Sequence, residues 1–190
     1  MPSKKNYKIP FDIRMATLPN GEKKLVMGVQ LQDAVKSEKH IKEIEEAYLR
    51  LLEDCDKLVK KIDGRKHSKM KEVTLNWELG DMLYRFLQFV DGKGFIPSVI
   101  IGRYLQEHLK LHNHQYWSDR ILFRRAFPDK DTLLPIGYNL YNEIQIAHTP
   151  KQQQKLLKFV KDNMDVKIPT ARQVRELRWK IGGSICKGGY

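Results

Sequence analysis

The sequence has few cysteines and no long apolar segment. Its 190 residues include two cysteines, Cys55 inside a long helical pattern and Cys186 in a glycine-rich C-terminal stretch. This placement predicts neither a disulfide framework nor a zinc knuckle. No window approaches the roughly 18 apolar residues of a membrane span, and the first residues lack the apolar core of a signal peptide. We therefore expect a cytoplasmic protein that does not enter a membrane.

Motifs for catalysis and for cofactor binding are also missing. No glycine-rich loop ends in Lys-Ser or Lys-Thr, and Gly92-Lys-Gly94 is too short to hold a phosphate. His108, His112 and His114 are spaced like metal ligands, but no carboxylate stands at the position that a zinc protease helix needs. The sequence therefore predicts a protein that is not an enzyme and that has no cofactor and no metal site.

Positive charge is abundant. Lys and Arg total 35 against 23 acidic residues, a formal net charge of +12, and the isoelectric point is near 9.6. Residues 149–190 hold ten basic residues against three acidic ones. Such a surplus suits a polyanion, because neutralised phosphates release their condensed counterions. A basic surface that is merely solvated remains the alternative.

The N-terminal third predicts a hairpin followed by a long helix. Phe11, Ile13 and Met15 alternate with polar residues, and a Pro19-Asn20-Gly21 turn precedes a second alternating stretch. Residues 1–31 are therefore predicted as a β-hairpin arm. Residues 32–63 place apolar side chains at steps of three and four, the pattern of an amphipathic helix. Its stripe is covered either by the same chain or by a second copy in a homodimer.

A mainly α-helical domain is predicted for residues 72–181. It follows a basic linker, residues 64–71, and precedes a flexible tail, residues 182–190. Its first helix is expected from Val73 to Val90. Later helices are expected at residues 137–147, after the Thr149-Pro150 cap, and after the cap at Thr170. The Pro128-Asp129 pair is predicted to form a capping turn.

Within this domain, Ile96 to Phe127 fits a helix-turn-helix. Ser98 can cap a supporting helix that runs to about Leu111, and Asn113 can cap a second helix from His114 to Phe127. The second helix is expected to expose polar side chains to base edges in the major groove of DNA. The predicted base contacts are His114, Gln115, Tyr116, Ser118 and Arg120. The predicted phosphate contacts are Arg103, Arg124, Arg125, Arg172, Arg175 and Lys180.

The succession of helices from Ile96 to about Ile181 resembles the helix-turn-helix region of ParB-type plasmid and chromosome partition proteins. The resemblance is carried by Ile144-Gln-Ile-Ala147, by Gln153 and Gln154 with the leucines that follow, and by the segment from Thr170 to Glu176. It implies sequence-specific binding to double-stranded DNA, a homodimer and a possible partner ATPase. The nucleotide-binding half of those proteins has no counterpart here, so CTP binding and clamp sliding are not implied.

A weaker resemblance concerns Trp77-Glu-Leu-Gly80, which looks like the helical N-terminal domain of predicted PD-(D/E)xK restriction-type nucleases. We therefore expect a DNA-binding protein of plasmid or chromosome partition, or of transcription regulation. The alternatives are the DNA-recognition part of a restriction-type nuclease system and a helical protein-interaction adaptor.

Overall fold

The computed structural model describes residues 13–17, 23–27, 38–64, 66–92 and 101–182. These residues are mainly helical, which confirms the mainly α part of the predicted fold class, whereas the helix-turn-helix and the β-hairpin stay predictions. The helices are α1 (Glu38–Asp63), α2 (Lys69–Gly92), α3 (Ile101–Leu109), α4 (His114–Ala126), α5 (Tyr138–Gln145), α6 (Pro150–Asn163) and α7 (Ala171–Gly182), with a short 3₁₀ helix at Lys130–Thr132.

Two short strands precede the helices. Strand β1 (Ile13–Thr17) pairs antiparallel with β2 (Lys23–Met27), in a register that places Met15 opposite Leu25. The turn at residues 19–21 lies outside the described residues. The hairpin arm as a whole therefore stays a prediction, as does the tail after Gly182, which also lies outside them.

The chain divides into two compact units. The first comprises Met1–Lys61 and Leu79–Ile121, and the second comprises Ile62–Glu78 and Leu122–Tyr190. The boundaries fall within α1, α2 and α4, so each of these helices supplies residues to both units. The predicted segments 1–31, 32–63, 72–181 and 182–190 stay a prediction.

In the first unit, the apolar stripe of α1 is buried within a single chain. The Tyr48 ring lies 5.9 Å from that of Phe86 in α2, and its hydroxyl is hydrogen-bonded to Nδ1 of His108 in α3 at 3.2 Å. The buried positions of the stripe are Ile44, Tyr48, Leu51, Leu52, Cys55, Leu58 and Val59. Of the two explanations for this stripe, intramolecular packing is therefore the one observed.

Helix α2 begins four residues earlier than Val73, the predicted start. The Ser68 hydroxyl accepts a hydrogen bond from Lys71 N at 3.3 Å, and its carbonyl accepts one from Glu72 N at 2.9 Å. A serine in this position satisfies backbone donors that a helix otherwise leaves open. The predicted linker is thus shorter than residues 64–71, and its last three residues belong to the helix.

In the second unit, aromatic rings form much of the core. The ring of Phe123 lies with its centre 5.0–5.5 Å from those of Phe127, Tyr138 and Tyr141. The ring centres of Phe127 and Tyr141 are 4.9 Å apart. The indole Nε1 of Trp77 donates to the buried carbonyl of Phe127 at 2.7 Å. Helices α5, α6 and α7 pack on one another beside this cluster.

Predicted caps and turns account for the short helices. Thr149 and Gln152 form a reciprocal capping box with Pro150 as the first helical residue. The Thr170 hydroxyl accepts from Gln173 N at 3.3 Å. Asp129 accepts from Asp131 N at 3.0 Å, which confirms the capping turn predicted at Pro128-Asp129.

Candidate nucleic-acid interface

Helices α3 and α4 are joined by a four-residue turn, residues 110–113. Lys110, the first of these residues, has φ 52°, and its backbone N–H donates to the carbonyl of Gln106 at 3.0 Å. A positive φ at this position ends the helix and redirects the chain, as glycine commonly does after a helix. The end of α3 is therefore marked by this backbone conformation and by the hydrogen bond to Gln106.

The start of α4 approaches α3 very closely. A Cβ built on Gly102 would lie 2.8 Å from the carbonyl oxygen of His114, a separation that side-chain carbons do not tolerate. The Gln106 side chain accepts a hydrogen bond from His114 N at 2.8 Å, and the Asn113 side chain accepts one from Tyr116 N at 3.0 Å. The first turn of α4 is thus fixed to α3 by one steric contact and by one hydrogen bond to a side chain of α3.

Three of the five predicted base contacts lie at the N-terminal end of α4. His114 and Gln115 are exposed, and Ser118 is half-buried. The Gln115 amide donates to Asp119 at 2.6 Å, and the Ser118 hydroxyl donates to the His114 carbonyl at 3.1 Å. The carbonyl oxygen of the Gln115 side chain has no hydrogen bond to another described residue, so the amide can still make a further contact.

The other two predicted base contacts, Tyr116 and Arg120, belong to a stack. The His112 ring lies parallel to the Tyr116 ring at 3.7 Å, and the Arg120 guanidinium lies 3.3 Å from the centre of the same ring. Arg120 also donates to the Tyr116 carbonyl at 2.9 Å and is only 8% exposed. The prediction that Arg120 is exposed on the outer face of α4 is therefore wrong. Its guanidinium instead holds Tyr116.

The predicted phosphate contacts of α3 and α4 differ in their surroundings. Arg103 is exposed and has no ion pair or hydrogen bond with any other described residue. The Arg124 guanidinium lies 4.8 Å from the centre of the Trp77 ring, a cation–π contact that leaves the arginine half-buried. Arg125 is exposed.

The predicted phosphate contacts of α7 are largely occupied by carboxylates. Arg172 Nε donates to Glu176 at 2.8 Å. Arg175 donates to buried Glu143 through Nε at 2.9 Å and through Nη2, and Arg178 lies 3.2 Å from the second oxygen of the same carboxylate. The hydrogen bond to Glu143 and its charge raise the pKa of Arg175. Lys180 is exposed and has no ion pair with a described residue.

A row of lysines on α6 has no role among the contacts predicted from the sequence. Lys151, Lys155, Lys158 and Lys161 are all exposed and lie opposite the buried Leu156 and Val160. Their spacing of four, three and three residues places them on one helical face. That spacing is the signal available in the sequence, where these lysines otherwise count only toward the net charge.

Neither a metal centre nor a membrane span is found in the described part of the chain. His108 is bonded to Tyr48, and His112 is stacked on Tyr116. Among the described residues no group of three metal-binding side chains comes together. None of the described helices is long and apolar enough to cross a bilayer.

The comparisons with known proteins give no relative. No family model matches the chain, and neither a curated protein nor a solved structure is significantly similar to it.

Proposed function

We propose that the protein binds double-stranded DNA through α3 and α4, with α4 as the helix that enters the major groove. The single observation that carries this proposal is the fixed first turn of α4. It presents exposed His114 and Gln115 while Gly102 and Gln106 hold it against α3. In helix-turn-helix proteins the residues near the start of the second helix contact base edges, and their orientation depends on the supporting helix.

Base recognition in this proposal depends mainly on Gln115, with His114 and Ser118 beside it. A glutamine amide can bond to adenine through both a donor and an acceptor. Asp119 holds the Gln115 amide at 2.6 Å and so limits its rotamers before DNA arrives. Tyr116 and Arg120 contribute indirectly in this proposal, because the stack of His112, Tyr116 and Arg120 stiffens the first turn of α4.

Phosphate contacts in this proposal come from exposed cations. Arg103, Arg125 and Lys180 are exposed, and Arg124 follows on the same helix as the base-reading residues. Arg172 and Arg175 would have to leave Glu176 and Glu143 to bind a phosphate. We therefore rank the last two as structural ion pairs.

The test is selection of bound sequences from a random duplex library. We expect the wild-type protein to enrich a motif and Gln115→Ala to relax preference at one or two positions, because a bidentate contact contributes about 1–3 kcal/mol of discrimination. Gln154→Ala, an exposed glutamine on α6, is the matched control and should leave the motif unchanged. Equal loss of affinity for all sequences in Gln115→Ala would contradict a base-reading role.

The proposed cellular role is plasmid or chromosome partition, or transcription regulation, with a homodimer reading two half-sites. The described apolar residues of α1 are buried within the chain, so we place the seam of this dimer on another surface. Light scattering of the full chain, with and without DNA, tests the dimer. A partner ATPase belongs to the same proposal.

A protein-interaction adaptor is the second candidate function. It is favoured by large apolar side chains that are exposed in the second unit, Val166 at 93% and Trp179 at 64%. An apolar contact of this kind would respond weakly to salt, whereas phosphate contacts weaken steeply with it. The alternative of a nuclease-associated recognition domain uses the same α3–α4 interface and differs only in the partner.

A further inference from the structure

The lysine row of α6, defined as Lys151, Lys155, Lys158 and Lys161, is arranged at a cost to the helix itself. Like charges three and four residues apart repel each other, and Lys151 lies in the first turn, where the helix dipole disfavours a cation. The only acidic residue of α6 is Asp162, next to its last residue. Asp162 lies four residues after Lys158, and Lys161 lies in the last turn, where the dipole favours a cation, so the repulsion is offset only toward the C-terminal end of the row.

Several exposed cations of other helices, by contrast, are paired with carboxylates. In α1 the pairs Lys57–Asp54 and Lys60–Asp56 lie at 3.3 and 2.6 Å, and in α7 Arg172 pairs with Glu176 at 2.8 Å. No ion pair or hydrogen bond joins the four side chains of the lysine row to another residue in the described part of the chain. The row is thus a continuous unneutralised charge, and not an ordinary solvated face with both signs interspersed.

The row matches the dimensions of a nucleic-acid backbone. Ten residues of helix separate its ends, which is about 15 Å at the rise of an α-helix. B-DNA rises about 3.4 Å along its axis for each phosphate of a strand, so the row spans about four base-pair steps and can reach phosphates of both strands. Lysine suits such a partner, because its ammonium group binds phosphate as a point charge without demanding a fixed geometry.

We propose that the lysine row of α6 is a second, sequence-independent DNA-backbone contact, and that it replaces the arginines of α7 in this role. This inference rests on the proposed DNA binding and assigns the electrostatic part of it to one helix. Each lysine neutralises one phosphate and releases its counterions. The row therefore sets the salt dependence of binding but not the choice of sequence.

The test compares a triple variant, Lys151→Gln/Lys155→Gln/Lys158→Gln, with a matched control, Lys57→Gln/Lys60→Gln/Arg172→Gln. Both remove three positive charges, and in each the replacement keeps a good helix former. The control removes cations that already have carboxylate partners. Affinity for a random duplex is measured by fluorescence anisotropy from about 50 to 200 mM salt, the range over which phosphate contacts respond strongly.

We expect the slope of log K against log salt to be about 2.7 less negative in the α6 variant than in the wild type, at about 0.9 for each of the three lost contacts. The rise from about 50 to 200 mM salt should therefore weaken binding of the variant by a factor about 40 times smaller than for the wild type. The slope of the control variant should differ from that of the wild type by no more than about 0.9, the contribution of one phosphate contact. Selection from the random library should return the same motif for all three proteins.

Equal slopes in the α6 variant and the wild type, with both binding DNA, would overturn the inference but leave the proposed function intact. Failure of the wild type to bind any duplex would instead remove the proposed function. If the α6 variant lost binding to poly-glutamate and kept its DNA slope, the row would be a contact for an acidic protein and the inference would be wrong.

Discussion

Replacement of Gly102 by alanine tests the geometry that positions α4. In an open helical site this change stabilises a protein by about 0.5–1 kcal/mol, because alanine loses less conformational freedom on folding. At Gly102 the new Cβ would lie 2.8 Å from the backbone carbonyl oxygen of His114, and 3.4 Å from the Ser118 hydroxyl. A backbone atom cannot rotate away, so α4 must shift relative to α3.

Gly102→Ala is therefore expected to destabilise the protein, whereas the same change in an open helical site would stabilise it. Overpacking of this kind costs about 1–3 kcal/mol, which exceeds the gain in propensity and leaves a net loss of about 1 kcal/mol. For a chain of this size, such a loss lowers Tm by about 2–4 °C. The DNA affinity should fall as well, because the first turn of α4 carries the proposed base contacts.

Gly92→Ala is the control, because Gly92 ends helix α2 and a Cβ added there would meet no atom of another described residue within 4 Å. Thermal and urea unfolding followed by circular dichroism give the stability, and amide hydrogen exchange over residues 101–121 localises the change. A Gly102→Ala protein as stable as the Gly92→Ala protein would refute the close approach of α3 and α4.

Four further predictions concern stability and reactivity. Burial raises the pKa of Tyr141 from 10.0 to about 12. The stability that its neutral phenol supplies is therefore fully present below pH 10 and is lost as the pH rises from 10 to 12. Absorbance of the wild type and of Tyr141→Phe at alkaline pH measures this ionisation, and ionisation of all tyrosines near pH 10 would contradict the prediction. Thr149→Ala removes a reciprocal capping box and should cost about 1 kcal/mol in urea unfolding, whereas an unchanged midpoint would show that the cap is not stabilising. Burial and nearby Asp54 raise the pKa of the Cys55 thiol, and the residue is buried. In a Cys186→Ser background, a thiol reagent should therefore react with Cys55 only as the protein unfolds. Rapid reaction of the native protein would contradict this prediction. Lys110→Gly relieves a positive φ and should raise the free energy of unfolding by up to about 1 kcal/mol; a destabilised variant would show that the lysine side chain matters more than its backbone.

The helices are predictable because their boundaries depend on local chemistry. Asn113, Thr149 and Thr170 accept backbone hydrogen bonds at the predicted caps, since a cap requires only a residue and its next three neighbours. Ser68 is the same signal, but it stands in a basic stretch whose composition is typical of a linker, so the predicted start of α2 is too late.

The surroundings of individual side chains are less predictable, because they depend on contacts between distant residues. Arg120 occupies a position that helical periodicity assigns to the outer face, yet stacking on Tyr116 buries it. Arg175 is bound by Glu143, 32 positions earlier in the chain, which no local pattern indicates. Periodicity predicts the stripe of α1, but only tertiary packing decides what covers it.

The salt dependence of binding to a random DNA duplex is the decisive test of whether this protein binds DNA through phosphate contacts. We expect measurable binding of the full chain at about 50 mM salt, with log K falling linearly against log salt at a slope steeper than about −4, as expected for five or more phosphate contacts. Absence of binding at that salt concentration, or a slope near zero, would contradict it.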